Sequence, residues 1–123
     1  CQALDRALAP ARNRSDALEN VLKGMIATRR RNYDEARDAY LVAMHELTAT
    51  GNEVEYAKTA LKYGAMVLQK AMDGKRDRNE LRDAVNRLND CMRIFRDYGL
   101  REQMAHTEYT INALERTAIG VIF

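Results

Sequence analysis

Histidine and serine, two of the side chains that most often ligate metals or attack substrates, are scarce in this chain. Its two histidines are His45 and His106, and its single serine, Ser15, lies beside a predicted helix start, where the hydroxyl would serve the backbone. The chain lacks the paired Glu-x-x-His units of a di-iron bundle and the Cys-x-x-Cys motif of a zinc site. We therefore predict that the protein is not an enzyme, and that it has no catalytic residue, no metal site and no cofactor.

The two cysteines, Cys1 and Cys91, are too far apart in sequence to suggest a metal cluster or a disulfide framework. Cys91 lies within an amphipathic segment, so we predict that it is a buried, small apolar residue. At Cys1 we expect a boundary within a longer protein. The alternative is a mature bacterial lipoprotein, anchored through a lipid on this cysteine. The apolar residues 121–123 also suggest a cut within a longer helical array.

Arginine and lysine form two clusters that could bind an anion, each at the end of a predicted helix. Since consecutive helices in a hairpin stack reverse direction, we expect both clusters at one edge of the molecule. Acidic residues nearby make a solvated edge the preferred interpretation and an acidic ligand the alternative. Nucleic acid is not favoured, because no aromatic residue interleaves with the arginines. The clusters are Arg29, Arg30 and Arg31, and Lys75, Arg76 and Arg78.

Length and charge favour a single soluble domain spanning residues 1–123. The chain has 20 basic and 18 acidic residues, so its net charge of +2 gives only weak attraction to nucleic acid or anionic lipid. No apolar run approaches the roughly 18 to 20 residues that a membrane span requires, and no signal segment opens the chain. We predict a cytoplasmic protein.

Capping and stop signals predict where the helices begin and end. Three Asn or Asp residues are each followed three positions later by Glu, as in a capping box, and glycines follow three of the periodic segments. We expect Pro10 to end a short first helix. The predicted helices span 2–9, 14–31, 33–49, 53–73, 78–98 and 101–119. The predicted caps are Asn32, Asn52 and Asp77, and the predicted stops are Gly51, Gly74 and Gly99.

Apolar residues recur at spacings of three and four throughout, and no segment alternates like a strand. In the second predicted helix one face carries Leu18, Val21, Leu22, Met25 and Ile26. The fold is therefore predicted to be all-α, with short connections that make consecutive helices antiparallel.

The chain also repeats itself. When Gly51 is aligned with Gly99, small residues meet small ones and large apolar residues meet large ones, including Tyr40 with Leu88. A second register pairs Gly24 with Gly64. The repeated unit is predicted to be a helical hairpin.

Residues 24–43 resemble the centre of a tetratricopeptide repeat. The stretch has a small residue, Gly24, in its first helix, the run Tyr-Asp-Glu-Ala at 33–36, and then Tyr40 and Ala43 at helical spacing. It departs from that family in lacking its usual aromatic near Asn20, and its second unit is longer than the usual repeat of about 34 residues. The degenerate, long-repeat members of the family are the nearest in pattern.

This resemblance implies antiparallel hairpins stacked as a short α-solenoid that binds a protein or peptide partner as a scaffold or regulatory module. The family's first helices line a concave groove, which implies ligand contacts there. The family's clamp for C-terminal carboxylates is not expected, because Val21 and Met25 occupy the comparable region. Homo-oligomerisation through the end hairpins is the alternative function, followed by binding of RNA or an acidic ligand. The implied groove residues are Lys58, Lys62, Tyr63, Gln69, Thr110 and Asn112.

Overall fold

The structure, a computed structural model, describes the backbone of residues 2–120 and the side chains of residues 16–119. Within that range the fold is all-α, as predicted, with five helices and no strand. Cys1 and residues 121–123, where we predicted boundaries of a longer array, lie outside the described residues. The helices are α1 (Gln2–Arg29), α2 (Tyr33–Ala49), α3 (Glu53–Met72), α4 (Arg78–Asp97) and α5 (Arg101–Gly120).

The prediction that Pro10 ends a separate first helix is wrong, because α1 is continuous from Gln2 to Arg29. Proline leaves the carbonyl of Arg6 without its backbone donor, at a cost of about 3 kcal/mol. The alanines, leucine and arginines around Pro10 are strong helix formers, which favours continuation. Ser15 therefore lies inside α1, and the prediction that it stands beside a helix start is also wrong.

Each connection between helices turns at one residue with a left-handed backbone. Gly51, Gly74 and Gly99 have φ values of 73°, 89° and 69°, which confirms the three predicted stops. In every turn the amide of this residue and the next amide donate to carbonyls of the helix's last turn, at 2.9–3.2 Å. The first turn uses Arg31, with φ 62°, where no glycine signalled a stop.

Asp77 caps α4 as predicted. Its carboxylate accepts from the amides of Asn79 at 3.0 Å and Glu80 at 3.3 Å. The Glu80 side chain does not complete the capping box, because it accepts instead from Lys70 Nζ at 3.0 Å.

Asn32 and Asn52 are the N-cap residues of α2 and α3, as predicted, but neither side chain makes the predicted capping hydrogen bond. Both residues have ψ near 75°, outside the extended conformation that aims a cap side chain at the first amides. The Asn52 amide instead donates to the Thr50 hydroxyl at 2.7 Å. The starts of all three helices were predicted correctly, but the side-chain capping from which they were predicted is present only at Asp77.

Contacts between side chains establish the directions of the helices. Tyr63 of α3 donates to Asp83 of α4 at 3.2 Å. Lys70, about two turns later in α3, donates to Glu80, which comes earlier in α4 than Asp83. These two helices are therefore antiparallel.

Helices α1 and α3 are parallel. The Gln69 amide donates to the carbonyl of Thr28 at 3.2 Å, and the Arg31 guanidinium, just beyond α1, donates to Asp73, just beyond α3, at 2.8 Å. Helix α3 is central, because it contacts α2 and α4, its chain neighbours, as well as α1 and α5.

Glycines permit two close approaches between helices. A Cβ built on Gly24 of α1 would lie 2.7 Å from the Tyr40 ring of α2, and one on Gly64 of α3 would lie 2.7 Å from a methyl of Leu88 in α4. In each case a glycine of the earlier helix leaves room for a large, buried residue of the following helix.

The core runs the length of the described chain. Cys91 is fully buried, as predicted, and burial raises the pKa of its thiol to about 12, which keeps the sulfur protonated and unreactive. None of the described helices is long and apolar enough to cross a membrane. The largest fully buried side chains include Met44, Leu47, Met66, Leu88, Phe95 and Leu114.

We expect Gly24→Ala to destabilise the protein more than Gly64→Ala. Overpacking destabilises a folded protein by about 1–3 kcal/mol. Alanine has a higher helix propensity than glycine, which offsets about 1 kcal/mol of that loss. The rigid Tyr40 ring has little freedom to move, whereas the Leu88 methyl ends a flexible side chain. Urea denaturation should show Gly24→Ala about 1 kcal/mol less stable than the wild type and Gly64→Ala close to it. Equal stability of the two variants would contradict the proposed packing.

Candidate partner-binding groove

Helix α1 exposes a row of large apolar side chains. Leu18, Leu22 and Ile26 are 44%, 58% and 49% exposed, and Met25 beside them is half-buried. Spacings of three and four place these four residues on one side of the helix. We call them the α1 apolar stripe.

The apolar face that the sequence indicates on this helix is mostly not part of the core. Of the five apolar residues that mark the face in sequence, only Val21 is buried. Helix α1 turns Ala17, Gly24 and Ala27 inward instead. Because Tyr40 packs directly on Gly24, α2 lies too close to α1 for leucines at the centre of this interface.

A shallow groove of about 240 Å³ separates α1 from α3 and adjoins the stripe. Its α1 wall includes Met25 of the stripe, and its floor includes Tyr40 of α2. The two walls contribute apolar surface and two cations, with no carboxylate. The lining residues are Met25, Thr28, Arg29, Tyr40, Lys62, Ala65, Met66 and Gln69.

Continued one or two turns beyond the groove lining, α1 and α3 present side chains at identical spacing. Positions 18, 22, 25 and 29 of α1 hold Leu, Leu, Met and Arg, and positions 58, 62, 65 and 69 of α3 hold Lys, Lys, Ala and Gln. Lys58 lies 4.0 Å from Glu55, whereas Lys62 has no ion pair among the described residues. Beyond the groove lining, this side of α1 is therefore apolar, with Leu18 and Leu22, whereas α3 continues with a cation, Lys58.

The predicted groove residues do not all reach this groove. Lys62 and Gln69 line it, and Lys58 lies one turn before Lys62 on α3. Tyr63 is buried, and so is Thr110, whose hydroxyl donates to the His106 carbonyl at 2.8 Å. These two residues therefore offer a ligand no accessible side chain.

The buried Tyr63 faces α4 rather than the groove. The Arg87 guanidinium lies 5.9 Å from its ring centroid, and burial together with the nearby Asp83 carboxylate raises the pKa of its hydroxyl. Asn112 is exposed on α5 but does not line the groove.

The two basic turns lie side by side, joined by a polar network. Asp73 accepts from the Arg31 guanidinium and from the Tyr33 hydroxyl, and the Gln69 amide donates to that hydroxyl at 3.2 Å. Lys75 Nζ lies 5.8 Å from the Tyr33 ring centroid. The charge of Arg31 is therefore paired with Asp73, and this ion pair holds the ends of α1 and α3 together.

The other cations of the basic edge are exposed to solvent. Arg29, Arg30, Arg76 and Arg78 have no ion pair among the described residues, and Asp77 is engaged as the α4 cap. Arg76 and Arg78 line one small pocket and Arg29 lines the groove between α1 and α3, so these cations do not converge on a single site.

Replacing Asp73 should test the network. The Tyr33 hydrogen bond, helped by Arg31, holds the pKa of Asp73 below its ordinary 3.8. A depressed folded-state pKa gives stability that is present above the unfolded pKa and is lost as pH falls. We expect Asp73→Asn to melt below the wild type at pH 7, with the gap narrowing below about pH 4. Asp16→Asn, at an exposed site, is the control, and a pH-independent gap would contradict the network's role.

The described residues do not assemble a metal centre. His45 and His106 are both exposed, and no three His, Cys, Asp or Glu side chains between residues 16 and 119 cluster closely enough to hold an ion.

Comparison with known proteins returns no match to a family model, to a curated protein or to a solved structure. Function is therefore inferred from the chain's own geometry.

Proposed function

We propose that this chain is a protein- or peptide-binding scaffold module, built of helical hairpins stacked in the manner of a short tetratricopeptide-like α-solenoid. Two observations support the stacking. Helices α1 and α3 run parallel, and the Gly24–Tyr40 contact of the first pair has a counterpart in Gly64–Leu88 of the second. Successive copies of one hairpin would produce both features.

The observation that carries the proposal is the α1 apolar stripe beside a groove. A contiguous row of exposed apolar side chains marks a surface on which another molecule packs, whereas single exposed ones need no explanation. Fully burying a leucine, isoleucine or methionine contributes about 1.5–3 kcal/mol, so the stripe supplies enough driving force for a peptide partner. Leu18 and Leu22 are the residues we expect to contribute most.

Self-association is the second candidate function. A second groove, of about 420 Å³, lies between α4 and α5, and its apolar lining includes Leu81, Val85, Ala118 and Ile119. An end hairpin of another copy would cover this surface.

Leu22→Glu should abolish partner binding without unfolding the protein. A carboxylate in the stripe would be desolvated by an apolar partner, at a cost of several kcal/mol, while in the free protein this exposed site tolerates it. The measurement is capture of partners from a cell extract by the immobilised chain, compared between variants by quantitative mass spectrometry.

Val42→Glu is the matched control, because Val42 is 46% exposed on α2, at a position turned away from that helix's buried face. Proteins recovered equally by both variants would contradict the proposed surface. Light scattering across a concentration series would reveal a stable oligomer, and would then favour self-association instead.

A further inference from the structure

Resting on the binding function proposed above, we infer that the groove between α1 and α3 takes an acidic amphipathic helix of another protein. The apolar side of that helix packs on Leu18, Leu22 and Met25 of α1. Its carboxylates face Lys62 of α3 and Arg29 of α1.

The charge of the groove selects the partner's charge. Arg29 and Lys62 are the charged residues of the lining, and both are cations. Lys58 extends the cationic row by one turn, and its pairing with Glu55 is weak, because both side chains are about a third exposed or more and lie 4.0 Å apart. A basic partner would bring like charges together in a partly desolvated groove, which costs affinity.

The spacing of the walls favours a helical partner over an extended one. Side chains at i, i+4 and i+7 recur about every 5–6 Å along each wall, which matches the ridges of a third helix. An extended strand repeats its side chains on one face about every 6.6–6.8 Å and would be out of step by about 3 Å after two repeats. A helix also presents an apolar face and an acidic flank at once, as the two unlike walls require.

The length of the site fits a short segment. Together, the α1 apolar stripe and the groove lining run from position 18 to position 29 on α1, about 16 Å or three turns of helix. Three turns present three or four apolar anchors at i, i+3, i+4 and i+7, which is the usual pattern for a helix bound in a groove.

A second copy of this chain does not offer such a segment on α5. Glu108 and Glu115 are exposed there, but the large apolar residues exposed beside them are Tyr109 and Ile119, which are separated by nearly three turns. The i, i+4, i+7 row of anchors is missing from that face.

Helix α1 of a second copy does carry an exposed apolar row, but its described side chains balance Asp16 and Glu19 against Lys23 and Arg29, so it lacks an acidic flank. The occupant we propose is therefore a different protein.

Two designed peptides test the inference. Each is an alanine-based helix of about four turns with leucines at i, i+3, i+4 and i+7, and the flanking positions carry Glu in one peptide and Lys in the other. Fluorescence anisotropy with the whole chain measures the affinity of each. We expect the Glu peptide to bind roughly tenfold or more tightly than the Lys peptide at low salt, with the difference shrinking as salt is raised.

Variants of the chain then locate the site. Lys62→Glu should weaken the Glu peptide roughly tenfold and strengthen the Lys peptide, whereas Lys23→Glu, an equal charge change at an exposed position outside the groove lining, should change neither. Circular dichroism confirms that both variants are folded.

The outcomes separate this inference from the function on which it rests. If both peptides bind alike and Leu22→Glu abolishes both, the groove stands and its acidic preference is overturned. If neither peptide binds, the groove and the inference both fall. An oligomer that dissociates on Lys62→Glu would show a second copy in the groove, and this would overturn the proposal of a different partner.

Discussion

The whole arrangement depends on four residues that reverse the chain with a left-handed backbone. The glycines at 51, 74 and 99 adopt this conformation at little cost, because they have no Cβ. For Arg31 the same conformation costs about 1–2 kcal/mol. Each reversal satisfies the last carbonyls of one helix and starts the next within a few residues. At Arg31 the side chain offsets part of that cost by bonding to Asp73, which ties the first reversal to the third.

Short reversals bring consecutive helices close together, and close packing decides which residues are buried. At the first pair, the Tyr40 ring fills the space beside Gly24, so α1 meets α2 with alanines, a glycine and Val21. The leucines of α1 then have no position in that interface. Exposure of the α1 apolar stripe is thus a consequence of the same packing that stabilises the fold, and the groove beside it follows from the parallel course of α1 and α3.

The sequence predicted the local features well and the three-dimensional ones unevenly. Glycine stops and the Asp77 cap are determined by neighbouring residues, so they could be recognised. The continuity of α1 through Pro10 was not predicted, because the cost of proline was weighed without the helix propensity of the residues around it. Periodicity identified an apolar face on α1, but the choice between Leu22 and Val21 as the buried residue depends on Tyr40, a residue of another helix. The burial of Tyr63 likewise depends on another helix, since α4 covers it.

Thiol labelling measures the orientation of α1 most directly. In a Cys1→Ser background, cysteine placed at Leu22 or at Val21 reports exposure on adjacent positions, and buried Cys91 is an internal reference. If α1 turns its small residues inward, the thiol at position 22 reacts as fast as a free thiol, while the thiol at 21 reacts as slowly as Cys91, through unfolding alone. Equal rates at positions 21 and 22, or protection at 22 in the free protein, would contradict the exposed stripe on which the proposed function depends.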